Sequence, residues 1–170
     1  MPESKQEPAR TRTYGWQDPR GSASKIGEMS GLEFLRAIAA GKLPSPPIAQ
    51  TLGFTLSEVS EGLAVFRVEP QEFHYNPIGV VHGGLAATLL DSCMACAIQS
   101  TLPRGRAYTT LELKVNLTRA ITASTGLLRC EGRVIHAGKQ VGTAEGRITD
   151  AQGRLYAHGT TTCMVFEVKG

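Results

Sequence analysis

Aromatic side chains make up only 6% of the 170 residues, one Trp, four Tyr and five Phe. That is too few for the stacking platforms on which single-strand nucleic-acid binders rely. Charge of one sign is also lacking: eighteen Lys and Arg face fifteen Asp and Glu, a net +3 spread without any basic run. No electrostatic footprint for nucleic acid results. The opening MPESKQEPARTRTYGWQDPRG carries charges and prolines where a secretory leader needs an apolar core, so the expected compartment is the reducing cytoplasm. Cysteine is scarce and poorly arranged for metal. Cys93 and Cys96 lie mid-way along an apolar run, far from the helix N-terminus a redox pair exploits, and Cys130 and Cys163 stand alone. His74, His136 and His158 are scattered, so no metal site is expected.

What the chain does have is one apolar helix with a carboxylate in it. The stretch NPIGVVHGGLAATLLDSCMACAIQ reads as a helix from Gly83-Gly84 to about Thr101, apolar on every side except for Asp91. Helices of that kind are buried. An ionised Asp inside one costs several kcal/mol unless it is paired or used. Its length approaches a membrane span, but Asp91 at the centre, Thr88 and Ser92 beside it and no second such segment argue against the membrane.

Around this helix the sequence reads as one domain with a lead-in. Residues 1–29 are polar and aperiodic, an arm that Tyr14 and Trp16 are expected to anchor; residues 30–170 form the domain. Ser30 is placed to cap a short amphipathic helix carrying Leu32, Leu35, Ile38 and Ala39. Two short strands follow at 54–56 and 63–68. After the apolar helix, YTTLELKVNLTR alternates with Thr109, Leu111, Leu113, Val115 and Leu117 on one face, which places Thr109 on the core side and Thr110 opposite. Strands at 125–136, 139–149 and 154–166 are joined by the turn signals Ala137-Gly138 and DAQG. The expected class is α+β: an antiparallel sheet, its four longer strands in hairpin succession, wrapped around one long helix, with a second subunit covering the open side.

Asn76, then His82-Gly83-Gly84 six positions on, then an acid seven beyond Gly84, together with YTTLELKVNLTRAI and VIHAGKQVGTAEGRITDAQGRLYAHGTT, resembles the hotdog-fold acyl-CoA thioesterases of the phenylacetate-pathway type, relatives of 4-hydroxybenzoyl-CoA thioesterase. The resemblance runs from Ile48 to Phe166, 119 of the 170 positions. It implies a homodimer or homotetramer with the active site at the subunit interface, acting on acyl-CoA without metal or organic cofactor. Asp91 would be the general base or nucleophile, Asn76 would orient water or thioester, and the Gly83 N–H would stabilise the oxyanion. Thr109 would stand near the acid, with Thr110 as the alternative if the register slips. His82, Gly84, Gly138 and Lys139 would contact the substrate, Lys139 or an arginine such as Arg119 or Arg133 meeting a CoA phosphate. Helix residues Leu90, Met94 and Ile98 and the arm's Trp16 are candidates to line the acyl pocket. Glycines opening a helix fit this independently, because the first turn offers unpaired N–H groups and the positive end of the dipole. A hotdog dehydratase or hydratase, and a non-catalytic acyl-CoA-binding module, are the rival readings. The first would pair a catalytic His with the acid; the second would gain stability by losing Asp91.

Overall fold

The computed structural model describes residues 9–168, so the first eight residues of the arm and the last two of the domain lie outside the described residues. Among these residues four α-helices, α1 (Arg20–Ala23), α2 (Gly31–Ala39), α3 (Pro47–Leu52) and α4 (Gly83–Gln99), accompany six strands. The strands are β1 (Phe54–Ser60), β2 (Leu63–Val68), β3 (Arg106–Leu117), β4 (Leu128–Ala137), β5 (Val141–Thr149) and β6 (Leu155–Glu167). All pairs are antiparallel and the sheet order is β1-β2-β4-β5-β6-β3. This is the hotdog fold, a curved sheet around one central helix.

Local chemistry explains the ends. Ser30 and Glu33 form a reciprocal capping box on α2, each side chain taking up a backbone N–H of the other, which satisfies two of the helix's orphan donors. Gly53 ends α3 at φ 69°, a left-handed conformation that suits glycine. The β5–β6 turn is closed by Asp150. Its Oδ1 accepts from the N–H groups of Gln152 and Arg154 at 3.0 Å, while Oδ2 takes Arg154 Nε at 2.5 Å and the Tyr156 hydroxyl at 3.1 Å.

One expectation about connectivity is corrected. β3 does not form a hairpin with β4; it pairs with β6 along Arg106↔Glu167 to Leu117↔Ala157, and β4 pairs with β2. The segment 118–127 is too long for a tight turn and includes a 3-10 turn at Ala123–Thr125. It carries the chain across the sheet. As a result β1 and β3 are the two edges, and the free edge of β3 presents unpaired backbone groups.

The helix is seated by glycine. Gly132 on β4 faces Gly146 on β5, which faces Gly159 on β6, giving a row without side chains across three neighbouring strands. A Cβ on Gly132 would collide with the backbone of Cys93 and lie 2.6 Å from Met94 N; one on Gly146 would sit 2.8 Å from Met94 Cγ and 3.1 Å from Leu90 Cδ2. Leu89, Leu90, Cys93, Met94 and Ile98 are consequently shut off from solvent. The opposite face of α4, with Gly84, Ala87, Thr88, Asp91, Ser92 and Cys96, is left wholly or partly open. The expected all-round burial therefore holds on the sheet side and at the C-terminal end, where Ala95 and Gln99 are also buried. Among the described residues no helix is long and apolar enough to cross a membrane.

The arm is tied to the domain through Arg12, over which Tyr14 also lies. The guanidinium lies 4.0 Å from the Phe73 ring centroid and 4.7 Å from that of Tyr14, and it donates to the carbonyls of Gln50, at 3.0 Å, and Thr51. Trp16 is 61% exposed. Ser22 adds a hydroxyl bond to Pro44 O at 3.2 Å.

Because Gly132 meets backbone and not a side chain that could move, Gly132→Ala is expected to destabilise the protein by about 3 kcal/mol, at the upper end of overpacking costs. Urea denaturation measures it. A loss below about 0.5 kcal/mol would show that the helix can lift from its seat at little cost.

Candidate active site

Asp91 lies at the middle of the open face of α4, half-buried. Its Oδ1 accepts a hydrogen bond from Thr110 Oγ1 at 2.9 Å. The neighbouring hydroxyls do not compete for it. Thr88 donates to Gly84 O at 2.9 Å and Ser92 to Thr88 O at 2.8 Å, both back onto their own helix.

Thr110 rather than Thr109 therefore reaches the acid, and this corrects the placement of Thr109 on the core face. The physical cause is a β-bulge. Thr110 pairs with Cys163 and Glu112 with Thr162, so Leu111 is an extra residue between them and the alternation reverses there. Tyr108 and Thr110 point inward before the bulge, Leu113 and Val115 after it, and Thr109 and Leu111 are exposed. Reading one uninterrupted alternation from Leu113 backwards puts the wrong threonine inside.

The helix N-terminus is built by the loop 74–82. Asn76 Oδ1 accepts from Ile78 N at 3.1 Å and Val80 N at 3.4 Å, so its side-chain carbonyl shapes the loop. His74 is buried beneath it, with Nδ1 accepting from Gln71 N at 2.9 Å and Nε2 2.8 Å from Leu52 O. Burial, partly opposed by the Leu52 carbonyl and aided by the Arg12 charge, holds His74 below its ordinary 6.5. His82 is the N-cap, its Nδ1 accepting from Gly84 N at 2.8 Å. That bond consumes the Gly84 donor and leaves the Gly83 N–H with no acceptor among the described residues. Gly83 is required by space: a Cβ there would lie 2.6 Å from Leu117 Cδ1.

Gly83 and Asp91 are eight residues apart, about 12 Å along the helix at 1.5 Å per residue. A single reacting group cannot touch both within one chain. At the far end of the helix, Gly138 donates to Val141 O at 2.9 Å in the β4–β5 turn, and Lys139 O accepts from Arg106. A groove of about 770 Å³ opens there, lined by Arg106, His136, Gly138 and Lys139 among others. Arg133 is instead paired with Glu131 at 2.6 Å, and Arg119 lies 5.8 Å over the Tyr156 ring. Arg106 is the cation beside Lys139. It went unnoticed in the sequence because its proximity follows from the β3-β6-β5 order. Leu90, Met94 and Ile98 face the sheet, and Trp16 lies on the surface, so none of the four lines an open pocket beside Asp91.

Comparison with known proteins supplies the family. Residues 78–157 match the model of the Thioesterase superfamily. A phenylacetic acid degradation-related protein of Ralstonia eutropha, known from its crystal structure, is 31% identical and superposes with a TM-score of 0.69 over 76% of this chain and 98% of its own. The chain belongs to the thioesterase superfamily. Two further members frame it. The 1,4-dihydroxy-2-naphthoyl-CoA hydrolase of Listeria monocytogenes is 25% identical over 69% of this chain and 94% of its own, and human acyl-coenzyme A thioesterase 13 is 29% identical over 75% and 91%. Thioester hydrolysis is the activity these superfamily members share by name.

Two outcomes test the site as drawn. Thr110→Val removes the donor to Asp91 and is expected to lower kcat about 10- to 100-fold while the thermal midpoint moves by only a few degrees, whereas Thr109→Val stays within about twofold of wild type. The reverse ranking would place the bulge elsewhere. A His held neutral by burial binds fewer protons folded than unfolded, so its contribution is complete above pH 6.5 and is lost as pH falls below it toward the lower folded value. Denaturation midpoints between pH 7.5 and 5 should fall in the wild type and less steeply in His74→Gln.

Proposed function

We propose that this superfamily member hydrolyses an acyl-CoA thioester to the free acid and CoA, with Asp91 supplying the catalytic carboxylate. The observation that carries the proposal is the half-open Asp91 with Oδ1 fixed by Thr110, on the one face of α4 that the sheet leaves uncovered. Oδ2 remains to act, as general base toward a water or as nucleophile toward the thioester carbon. The proposed chemistry uses no metal or organic cofactor. It takes place in the cytoplasm, where the four cysteines stay thiols.

The oxyanion donor comes from a second copy. Antiparallel pairing of two α4 helices about a two-fold axis brings Gly83 of one opposite Asp91 of the other when the axis passes residue 87, midway between 83 and 91. Ala87 occupies that position, and its small side chain on the open face supports close approach of the helices. The free N–H of the partner's Gly83, at the positive end of its helix, then faces the carbonyl oxygen. Asn76 and His82 shape that end, and Gly84 gives the carbonyl room.

In the hydrolytic step, water adds to the carbonyl carbon as its proton passes to Asp91, and the negative charge moves to the carbonyl oxygen at the Gly83 N–H. Collapse of the tetrahedral adduct breaks the C–S bond, and the thiolate of CoA takes up the proton. The same antiparallel geometry brings the partner's β4–β5 turn to the side from which CoA leaves, where Gly138 permits approach and Lys139 and Arg106 meet its phosphates. The dimer is the minimal active unit, and two dimers make the homotetramer.

Thiol release from acyl-CoA esters should fall at least a thousandfold in Asp91→Asn with oligomer size by sedimentation unchanged. Equal turnover in both proteins would sink the assignment. Single turnover in ¹⁸O-water separates the two roles of Asp91: label enters the product acid directly for a base, and enters the Asp91 carboxyl for a nucleophile.

A further inference from the structure

Beside the catalytic face lies a second pocket, roofed by the arm and separate from the groove near Lys139. Its walls are Ile26, Phe34, Leu35 and Ile38, with Cys96 and Tyr108 on the floor, and its volume is about 210 Å³. An apolar cavity of about 150 Å³ is enough to take a benzene ring. Burial, with the nearby Cys93 adding to it, pushes the Cys96 thiol up to about 12, and burial likewise raises the Tyr108 phenol well above its ordinary value. Both stay neutral, and among the described residues nothing charged lines the pocket.

Gln99 also lines this pocket, and it is anomalous there. The residue is 1% exposed, yet among the described residues neither its amide nitrogen nor its amide oxygen has a hydrogen-bond partner. Buried polar groups are nearly always satisfied, and an exception calls for a specific reason. Neighbouring donors and acceptors are committed elsewhere: Ser100 Oγ bonds Ala97 O at 2.6 Å and Gly62 N at 2.8 Å, and the Thr101 hydroxyl bonds Ile98 O at 2.8 Å. Nor is Gln99 held as a mere spacer, since Leu or Met would fill the same volume without an unsatisfied amide.

We propose that this pocket receives the acyl group and that Gln99 is a specificity-determining residue, selecting acyl groups whose far end carries a neutral group able both to donate and to accept, a hydroxyl being the smallest. The inference rests on the thioesterase reading for the direction in which the acyl group runs. A hydroxyl gives its proton to Gln99 Oε1 and accepts from Nε2, which satisfies both orphans. A carboxylate would leave Oε1 unmet and bring a bare charge among apolar walls. Length follows from the helix. Asp91 and Gln99 are eight residues, about 12 Å, apart; contact at Asp91 and the hydrogen bond at Gln99 take up about 3 Å each. About 6 Å is left, which a six-carbon chain of ~1.5 Å bonds spans in zigzag.

Binding and turnover separate the two readings. Calorimetry on Asp91→Asn, which keeps the esters intact, compares hexanoyl-CoA with 6-hydroxyhexanoyl-CoA, and thiol release by the wild type is measured with the same pair. The hydroxylated ester is expected to bind at least tenfold more tightly, and the preference to vanish in Asp91→Asn carrying Gln99→Met, whose thermal midpoint should equal or exceed that of its parent. Ile38→Trp, which leaves Gln99 in place and fills the cavity, should weaken both six-carbon esters tenfold or more and leave acetyl-CoA within twofold. Equal affinity for the pair, a preference that survives Gln99→Met, or no binding of either ester overturns the inference. Preferential binding without turnover in the wild type would refute the hydrolytic reading and leave the pocket assignment standing.

Discussion

The close approach of α4 to a row of glycines is the constraint from which the rest of the molecule follows. Glycine in a strand interior costs roughly 0.5 to 1 kcal/mol of backbone entropy at each position. Gly132, Gly146 and Gly159 bear that cost on three adjacent strands. The return is the burial of Leu89, Leu90, Met94 and Ile98 to 0% exposure, worth about 1.5 to 3 kcal/mol for each side chain. Seating those residues in the trough fixes the rotation of the helix about its axis. That rotation turns Asp91 away from the sheet. The position of the acid is set by packing on the opposite side of the helix, before any catalytic contact is considered.

A second constraint then decides which hydroxyl the acid meets. Had β3 kept a regular pleat, Thr109 and Thr110 would have exchanged faces, because a one-residue change of register turns every side chain over. The extra residue at Leu111 lets Thr110 face Asp91 while Leu113 and Val115 still pack on the core. Bulges increase local twist and recur beside active sites. Here the bulge reconciles a strand that must cover the helix with one hydroxyl that must point at its carboxylate.

Much of this was legible in the sequence, for identifiable reasons. The apolar helix, the Ser30 cap, the two short strands and the turns after β4 and β5 are local signals, written in periodicity and turn residues. Asp91 was conspicuous because a carboxylate among apolar neighbours has no local justification. The inward threonine, the cation beside Lys139 and the pairing of β3 with β6 were not legible. Each depends on strand order or on a bulge that leaves no mark in a run such as YTTLELKVNL. The glycine row is an intermediate case: Gly132, Gly146 and Gly159 are plain to see, but only the register shows that they face one another. Gln99 was hidden for a different reason. At the end of an apolar helix a glutamine looks like an ordinary polar boundary residue, and only its complete burial makes the unpaired amide informative.

The open face of α4 also resolves the energetic difficulty that Asp91 posed. A fully buried, unpaired carboxylate would be costly in the isolated chain, and Asp91 avoids this by remaining half in water with one oxygen bonded to Thr110. In the dimer proposed above, desolvation is deferred until a second copy covers the face. At that point the positive end of the partner's helix and the unpaired Gly83 N–H arrive together, so the dipole that stabilises the oxyanion also offsets part of the cost of removing water from the acid. On the proposed reading, assembly and catalysis draw on the same pair of groups: a monomer would hold its acid hydrated and its oxyanion donor about 12 Å away along the helix, and the proposed pair would place the two within reach of one thioester carbon.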